Sequence, residues 1–371
     1  LAAIPILSRT SLRDNLAALA AEALPQGHAI AGQRSSSGST GMVVVVNTTN
    51  TMLAWQDALT LRAQVWALRD FSQSVAVIRK YPKGPAEYPD GLRTQSWSPS
   101  AFPFTTGPAM FLTTSYTSLE QQWEWLNRMR AAYLMTYPSV VRGFAKLAEK
   151  EGKLPASLRG ITTVGEVVDP DLREIAVRFL NAPIHDIYSS EEAGIMALQC
   201  PDCTAYHVQS ESVIVEVLNA NDRPCAPGET GRVVVTPLHN YAMPLLRYEI
   251  GDFALAGEPC GCGREMPILE RIMGRRRNML MMPDGRSYWP SFGARRLQQV
   301  VPMREHQFRQ IAPGVIEALL VTEAPVDTAQ ENEMKRIINA GLPMPFEVHI
   351  RCVSEIPRPA GGKYEEFVSL I

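Results

Sequence analysis

The stretch 161–192, ITTVGEVVDPDLREIAVRFLNAPIHDIYSSEE, decides the fold. Ile161–Val164 reads as a strand, Pro170–Leu180 as a helix and Ile184–Tyr188 as a second strand. A strand–helix–strand rhythm argues for a parallel sheet. In such sheets ligands gather beyond the carboxyl ends of the strands, where Tyr188-Ser189-Ser190-Glu191-Glu192-Ala193-Gly194 would lie. A carboxylate there can hold Mg²⁺ against phosphate oxygens. The same residues also fit an ordinary helix start, with Ser as the cap and Glu in the first turn.

Upstream, Leu12–Leu24 has Leu and Ala at helical spacing and stops at Pro25. The loop Gln33–Gly41 follows, then the β-branched run Val43–Val46, the helix-like Leu53–Phe71 and the short strand Val75–Ile78. Lys80–Pro108, dense in Pro, Gly and Ser, reads as long loops. Leu119–Leu134 and Ser139–Glu151 read as amphipathic helices, the second closed by Gly152. Aromatic residues between Tyr116 and Tyr137 fit either an aryl pocket or a packed stripe.

Downstream of Ser210 the character changes. Val213–Leu218 and Gly231–Thr236 look like antiparallel strands joined by the turn-rich Asn219–Thr230. A last composition shift falls at Gly274–Arg277, followed by strand patterns at Val315–Val321 and Glu347–Val353 and the helix Gln330–Gly341. The expected fold is α/β. Residues 1–274 form a large N-terminal domain with parallel sheets flanked by helices plus a β-rich subdomain. Residues 278–371 form a small mobile α+β C-terminal domain carrying Lys363.

With 371 residues, 46% hydrophobic and 20% charged, the chain has the make-up of a globular protein of two domains. A net charge of −2 gives no footprint for nucleic acid, and no apolar run reaches the roughly 18–20 residues of a bilayer span. Leu1–Pro5 lacks the features of a signal peptide. The clustering of the six cysteines points to metal in a reducing, cytoplasmic compartment.

Several further segments carry candidate chemistry. Ser35-Ser36-Ser37-Gly38-Ser39-Thr40-Gly41 offers backbone N–H groups and hydroxyls that can cradle a phosphate, and read alone it fits a flexible linker as well. Asp252, behind Gly251, can accept from a ribose diol or cap its own turn. Gly274-Arg275-Arg276-Arg277-Asn278 is a hinge candidate or a solvated charge run. Gly361-Gly362-Lys363 is a mobile loop able to carry one cation, on a residue type that is otherwise mostly at the surface. Cys200-Pro201-Asp202-Cys203 and Cys260-Gly261-Cys262 make a tetrahedral thiolate site plausible, with His207 able to replace one thiol and Cys225 and Cys352 standing apart.

In this order, and over nearly the whole chain, these segments resemble the adenylate-forming superfamily of acyl-CoA synthetases and adenylation domains, above all its phenylacetate–CoA ligase-like branch. Ser35–Gly41 resembles the phosphate loop, which assigns Ser36, Ser37, Gly38, Ser39, Thr40 and Gly41 to ATP. Tyr188-Ser189-Ser190-Glu191-Glu192 resembles Y-G-x-T/S-E, with Tyr188 and Ser189 beside the nucleotide and Glu192 on Mg²⁺. Gly165-Glu166 resembles the stretch bordering adenine, Asp252 the ribose aspartate of Y-x-x-G-D, Arg275 the arginine of G-R-x-D-D and Lys363 the catalytic lysine of P-x-x-x-G-K.

The resemblance implies ATP-dependent activation of an aryl or medium-sized carboxylic acid to acyl-AMP, then thioester formation with coenzyme A. The alternatives are transfer to a carrier protein or an amine, or a non-catalytic nucleotide-binding relative. It also implies a structural Zn²⁺ on Cys200, Cys203, Cys260 and Cys262, and a homodimer as a frequent assembly. Several features depart from the pattern, among them Gly41 running straight into Met42-Val43-Val44 without the usual basic or Pro residue. Glu191 replaces a hydroxyl residue, Arg277-Asn278 replace an Asp pair, and the family's usual N-terminal tens of residues are expected to precede Leu1.

Overall fold

The computed structural model describes residues 1–35, 44–97, 105–357 and 364–371. By internal contacts the chain divides into two compact units, Leu1–Ile272 and the chain from Met273 onward.

The first unit is organised by one twelve-stranded sheet. Its parallel section runs in the order Ala109–Thr113, Val75–Arg79, Tyr133–Thr136, Gly160–Val164, Ile184–Ser190. Gly160–Val164 is buried at every position, as expected of a strand covered on both faces. The helix Pro138–Glu151 starts on a proline, whose missing N–H costs nothing in a first turn, and ends at Gly152 with φ 64°. It buries Val141, Phe144 and Ala145 and packs beside Pro170–Leu180, which begins the same way.

Beyond Ile184–Ser190 the sheet turns antiparallel. The hairpin partner Gly194–Gln199 is followed across the sheet by Tyr206–Val208, Ile268–Arg275, Tyr248–Ala256, Thr230–Pro237 and the edge strand Val213–Leu218. The β-rich part is therefore a continuation of the same sheet. On the edge strand, Glu216 is held by both arms of the Arg247 guanidinium at 3.0 Å. The turn after it folds back, with the Cys225 N–H donating to the Val217 carbonyl at 2.8 Å.

Three local readings change. The N-terminal helix is two pieces, Arg9–Asp14 and Leu16–Leu19, because Asn15 leaves helical geometry and donates its side-chain amide to the Ser11 carbonyl. The helix expected over Leu119–Leu134 stops at Met129. Arg130 adopts the left-handed conformation there (φ 51°), and Tyr133–Thr136 becomes a central strand. The loop-like Lys80–Pro108 contains the edge strand Leu92–Thr94. The segment read as a phosphate loop falls between the antiparallel strands Ile30–Ser35 and Val45–Thr49 in sequence; Ser36, Ser37, Gly38, Ser39, Thr40 and Gly41 lie outside the described residues.

The second unit has its own four-stranded sheet, ordered Glu347–Cys352, Val315–Thr322, Met303–Ala312, Phe367–Ser369. The helices Ala294–Val300 and Thr328–Ala340 accompany it, around a core that includes Leu297, Phe308, Met334 and Ile338. Asp327 caps the second helix through the Gln330 N–H, and Gln330 returns a bond to the Asp327 backbone.

Candidate active site and cysteine cluster

The strand Ile184–Ser190 ends in a tight hairpin rather than a helix start. The Ala193 N–H donates to Ser190 Oγ at 3.0 Å, and Gly194 takes φ 73°, a conformation that suits glycine. This removes the helix-capping alternative for Ser190-Glu191-Glu192. The pairing with Gly194–Gln199 shifts register between Tyr188 and Ser189, a bulge that re-aims the side chains at the strand end. Tyr188 is buried there, and Ser189 is half-buried.

Asp252 is presented by a similar device. Where Tyr248–Ala256 pairs with Thr230–Pro237, the register slips so that Ile250-Gly251-Asp252 bulges between Glu249 and Phe253, with Gly251 at φ 85°. The two bulges meet: Tyr188 Oη donates to Asp252 Oδ2 at 2.9 Å. Residues 64 positions apart are thus joined at the carboxyl end of a parallel strand.

Glu192 is only 4% exposed. A buried carboxylate needs a counter-charge or donors, and it has both. Arg9 Nη1 lies 3.2 Å from Glu192 Oε1, and Tyr248 Oη donates to the same oxygen at 3.4 Å. The segment bearing Arg9 is placed by backbone hydrogen bonds on either side of Tyr248. The Leu7 N–H donates to the Arg247 carbonyl at 2.9 Å, and the Glu249 N–H donates to the Leu7 carbonyl at 3.0 Å. Arg9 is the site residue that the sequence reading missed, since no motif marks it.

Glu166 has a visible structural task. Its carboxylate accepts from the Ser139 N–H at 2.9 Å and from Ser139 Oγ at 3.1 Å, in the first turn of Pro138–Glu151. Negative charge is favoured at a helix N-terminus, and the contact ties the turn at Gly165 (φ 78°) to that helix. Within the second unit, the Arg275 N–H donates to Asn278 Oδ1 at 2.9 Å. Arg277 Nε donates to Glu365 Oε1 at 2.9 Å, and Asn278 Nδ2 donates to the Phe367 carbonyl at 2.7 Å. The residues that replace the Asp pair therefore grip the segment just after Lys363, which itself lies outside the described residues.

At the other end of Gly194–Gln199 lies the cysteine cluster. Cys200 Sγ, Cys260 Sγ, Cys262 Sγ and a ring nitrogen of His207 lie within 4.8 Å of one another. Cys200 and Cys260 are 3.7 Å apart, Cys203 and Cys260 3.8 Å, and Cys262 and His207 Nε2 3.3 Å. Two thiolates each about 2.3 Å from a tetrahedral ion sit about 3.8 Å apart, so these sulfur separations fit a shared Zn²⁺. His207 is fully buried, and its Nδ1 has no hydrogen-bond partner among the described residues. The four donors within mutual reach are Cys200, Cys260, Cys262 and His207, so the histidine stands where the sequence reading placed Cys203, which lies beside Cys260.

No family model matches the sequence. A phenylacetate–coenzyme A ligase of Thermus thermophilus is 27% identical over 188 residues, a match spanning 44% of this chain and 42% of the relative. The chain superposes on a 2-hydroxyisobutyryl-CoA ligase in complex with 2-HIB-AMP with a TM-score of 0.76 at 18% identity, covering 99% of this chain and 80% of that one. A benzoate CoA ligase from Burkholderia xenovorans gives a TM-score of 0.64 at 16% identity, covering 92% and 68%. An anthranilate CoA ligase in complex with anthranoyl-AMP gives 0.64 at 15% identity, covering 90% and 65%. No helix among the described residues is long and apolar enough to cross a membrane. The chain thus shares its fold with these CoA ligases, and over 188 residues it is similar in sequence to a phenylacetate–coenzyme A ligase.

Proposed function

We propose that the chain activates a carboxylic acid with ATP, releasing pyrophosphate, and passes the acyl group from acyl-AMP to coenzyme A. The observation that carries this reading is the convergence of Tyr188, Asp252 and Glu192 at the end of one strand, on a fold shared with ligases solved with acyl-AMP. Asp252 would take the ribose hydroxyls, with Tyr188 fixing the carboxylate's rotamer through its 2.9 Å bond. The 36–41 segment would donate N–H groups to the phosphates.

Two anions meet when the substrate carboxylate attacks the α-phosphorus, so positive charge must be waiting where negative charge develops. Lys363 supplies an ammonium on a flexible stem from the C-terminal unit. Its withdrawal would open the acyl-AMP to the thiol of coenzyme A. Glu192 fits a Mg²⁺ ligand: among the described residues both its hydrogen bonds fall on Oε1, leaving Oε2 as a donor oxygen. Bound Mg²⁺ would neutralise phosphate charge.

Cys200, Cys260 and Cys262, with His207 or Cys203, would hold a structural Zn²⁺ that leaves no open position for catalysis. The acid is an aryl or medium-sized one, and a reducing, cytoplasmic setting suits the free thiols.

The test is ATP–pyrophosphate exchange across a panel of aryl, fatty and amino acids. Lys363→Ala is expected to cut the rate by roughly 10²–10³ while ATP still binds. Undiminished exchange in that variant would sink the assignment. Thioester and AMP forming with coenzyme A, with no amide forming when an amine is offered instead, fixes the acceptor.

A further inference from the structure

We infer that Arg9 is a cation of the nucleotide site: it occupies Glu192 while nucleotide is absent and turns to the phosphates when nucleotide arrives. This rests on the adenylation reading and adds a residue that no motif assigned. Three observations carry it.

The first is position. Arg9 Nη1 contacts Glu192 Oε1 at 3.2 Å and Tyr248 Oη at 3.5 Å, so the guanidinium stands at the carboxylate that would face metal and phosphate. The second is attachment. Leu7 is bonded through its backbone to Glu249, on the strand that carries Asp252, and to Arg247 just before it, and Leu12 is fully buried. The arm is thereby held in register with the ribose end of the site without help from Arg9. The third is chemistry. A guanidinium stays charged at all working pH and offers five donors in a fork that matches phosphate as well as carboxylate. A salt bridge between partners that are 12% and 5% exposed has lost most of its hydration, so the buried Glu192 carboxylate needs a cation beside it, which Arg9 supplies until a metal replaces it.

An exchange follows from these contacts. In the nucleotide-free protein the Arg9 charge repels a divalent cation from Glu192. With nucleotide present, the phosphates compete for the guanidinium and free the carboxylate.

The experiment measures Mn²⁺ binding to the nucleotide-free protein by electron paramagnetic resonance, and binding of α,β-methylene-ATP by calorimetry. Arg9→Gln should bind Mn²⁺ about tenfold more tightly than the wild type and the analogue about tenfold more weakly, the scale of one charge-assisted hydrogen bond. Arg9→Lys, which keeps the charge, should leave Mn²⁺ binding weak, and it serves as the readout if Arg9→Gln does not fold. Unchanged Mn²⁺ and analogue affinities in a folded Arg9→Gln, or tighter Mn²⁺ binding in Arg9→Lys, would overturn the inference. A wild-type protein that binds no analogue at all would instead overturn the nucleotide reading beneath it.

Discussion

Tyr188 and Asp252 show what a single side chain contributes here. Tyr188 faces a register shift and Asp252 lies in a bulge, and the backbone alone leaves the Asp252 carboxylate some torsional freedom. The bond between them removes that freedom before a ligand arrives. Tyr188→Phe should therefore weaken α,β-methylene-ATP binding by roughly three- to tenfold, the worth of about 1 kcal/mol. Its fold should be intact, as read by circular dichroism beside the calorimetric Kd. An unchanged Kd would mean that Tyr188 serves the core alone. At this scale much of the candidate site was legible, because Tyr188, Glu192 and Asp252 belong to short local motifs. Arg9 was not, since its meaning comes from the backbone pairing of Leu7 beside Tyr248, a contact across more than two hundred positions. His207 was legible only as a substitute thiol, because nothing local says that its ring is turned toward Cys262.

At the scale of the element, the strand Ile184–Ser190 carries a buried polar cluster at its start as well as the site at its end. Asp186 accepts from Tyr206 Oη at 2.7 Å and from Thr163 Oγ1, and burial raises its pKa. Beside it, burial first and then the charges of Arg69 and Arg173 hold His185 down to about 4. A histidine near 6.5 in the unfolded chain takes a proton that the folded chain refuses. Its contribution to stability is present above pH about 6.5 and is lost as pH falls toward about 4. Urea midpoints measured at pH 7 and pH 5 should drop less in His185→Asn than in the wild type; equal drops would refute the assignment. Two of the elements missed in the sequence have identifiable physical causes. Tyr133–Thr136 follows a helix that ends on Arg130 without a glycine, so the apolar pattern runs on unbroken. Gly194–Gln199 is buried at all its positions, so it shows no alternation to betray a strand.

For the molecule as a whole, the two units carry separate cores, one built on Leu134, Phe144 and Ile161 among others, the other on Phe308, Ile316 and Ile338. Separate cores unfold as separate cooperative blocks. Calorimetry is expected to resolve two transitions, of which the analogue raises one; a single transition matching its van't Hoff enthalpy would refute this. The strand–helix–strand rhythm made the parallel section readable. The continuity of all twelve strands was not readable, because it depends on pairings between distant segments such as Tyr206–Val208 with Ile268–Arg275. One such distant contact bears on how the molecule keeps to itself. The edge strand Val213–Leu218 reads VIVEVL, and an edge of that kind is a template for another chain's strand. Glu216 is its single charge, and Arg247 fixes that carboxylate in place. Colloidal behaviour therefore rests in part on Glu216, a residue outside the candidate site. A change at Glu216 would show itself as stacking of intact molecules, well before it showed in their turnover.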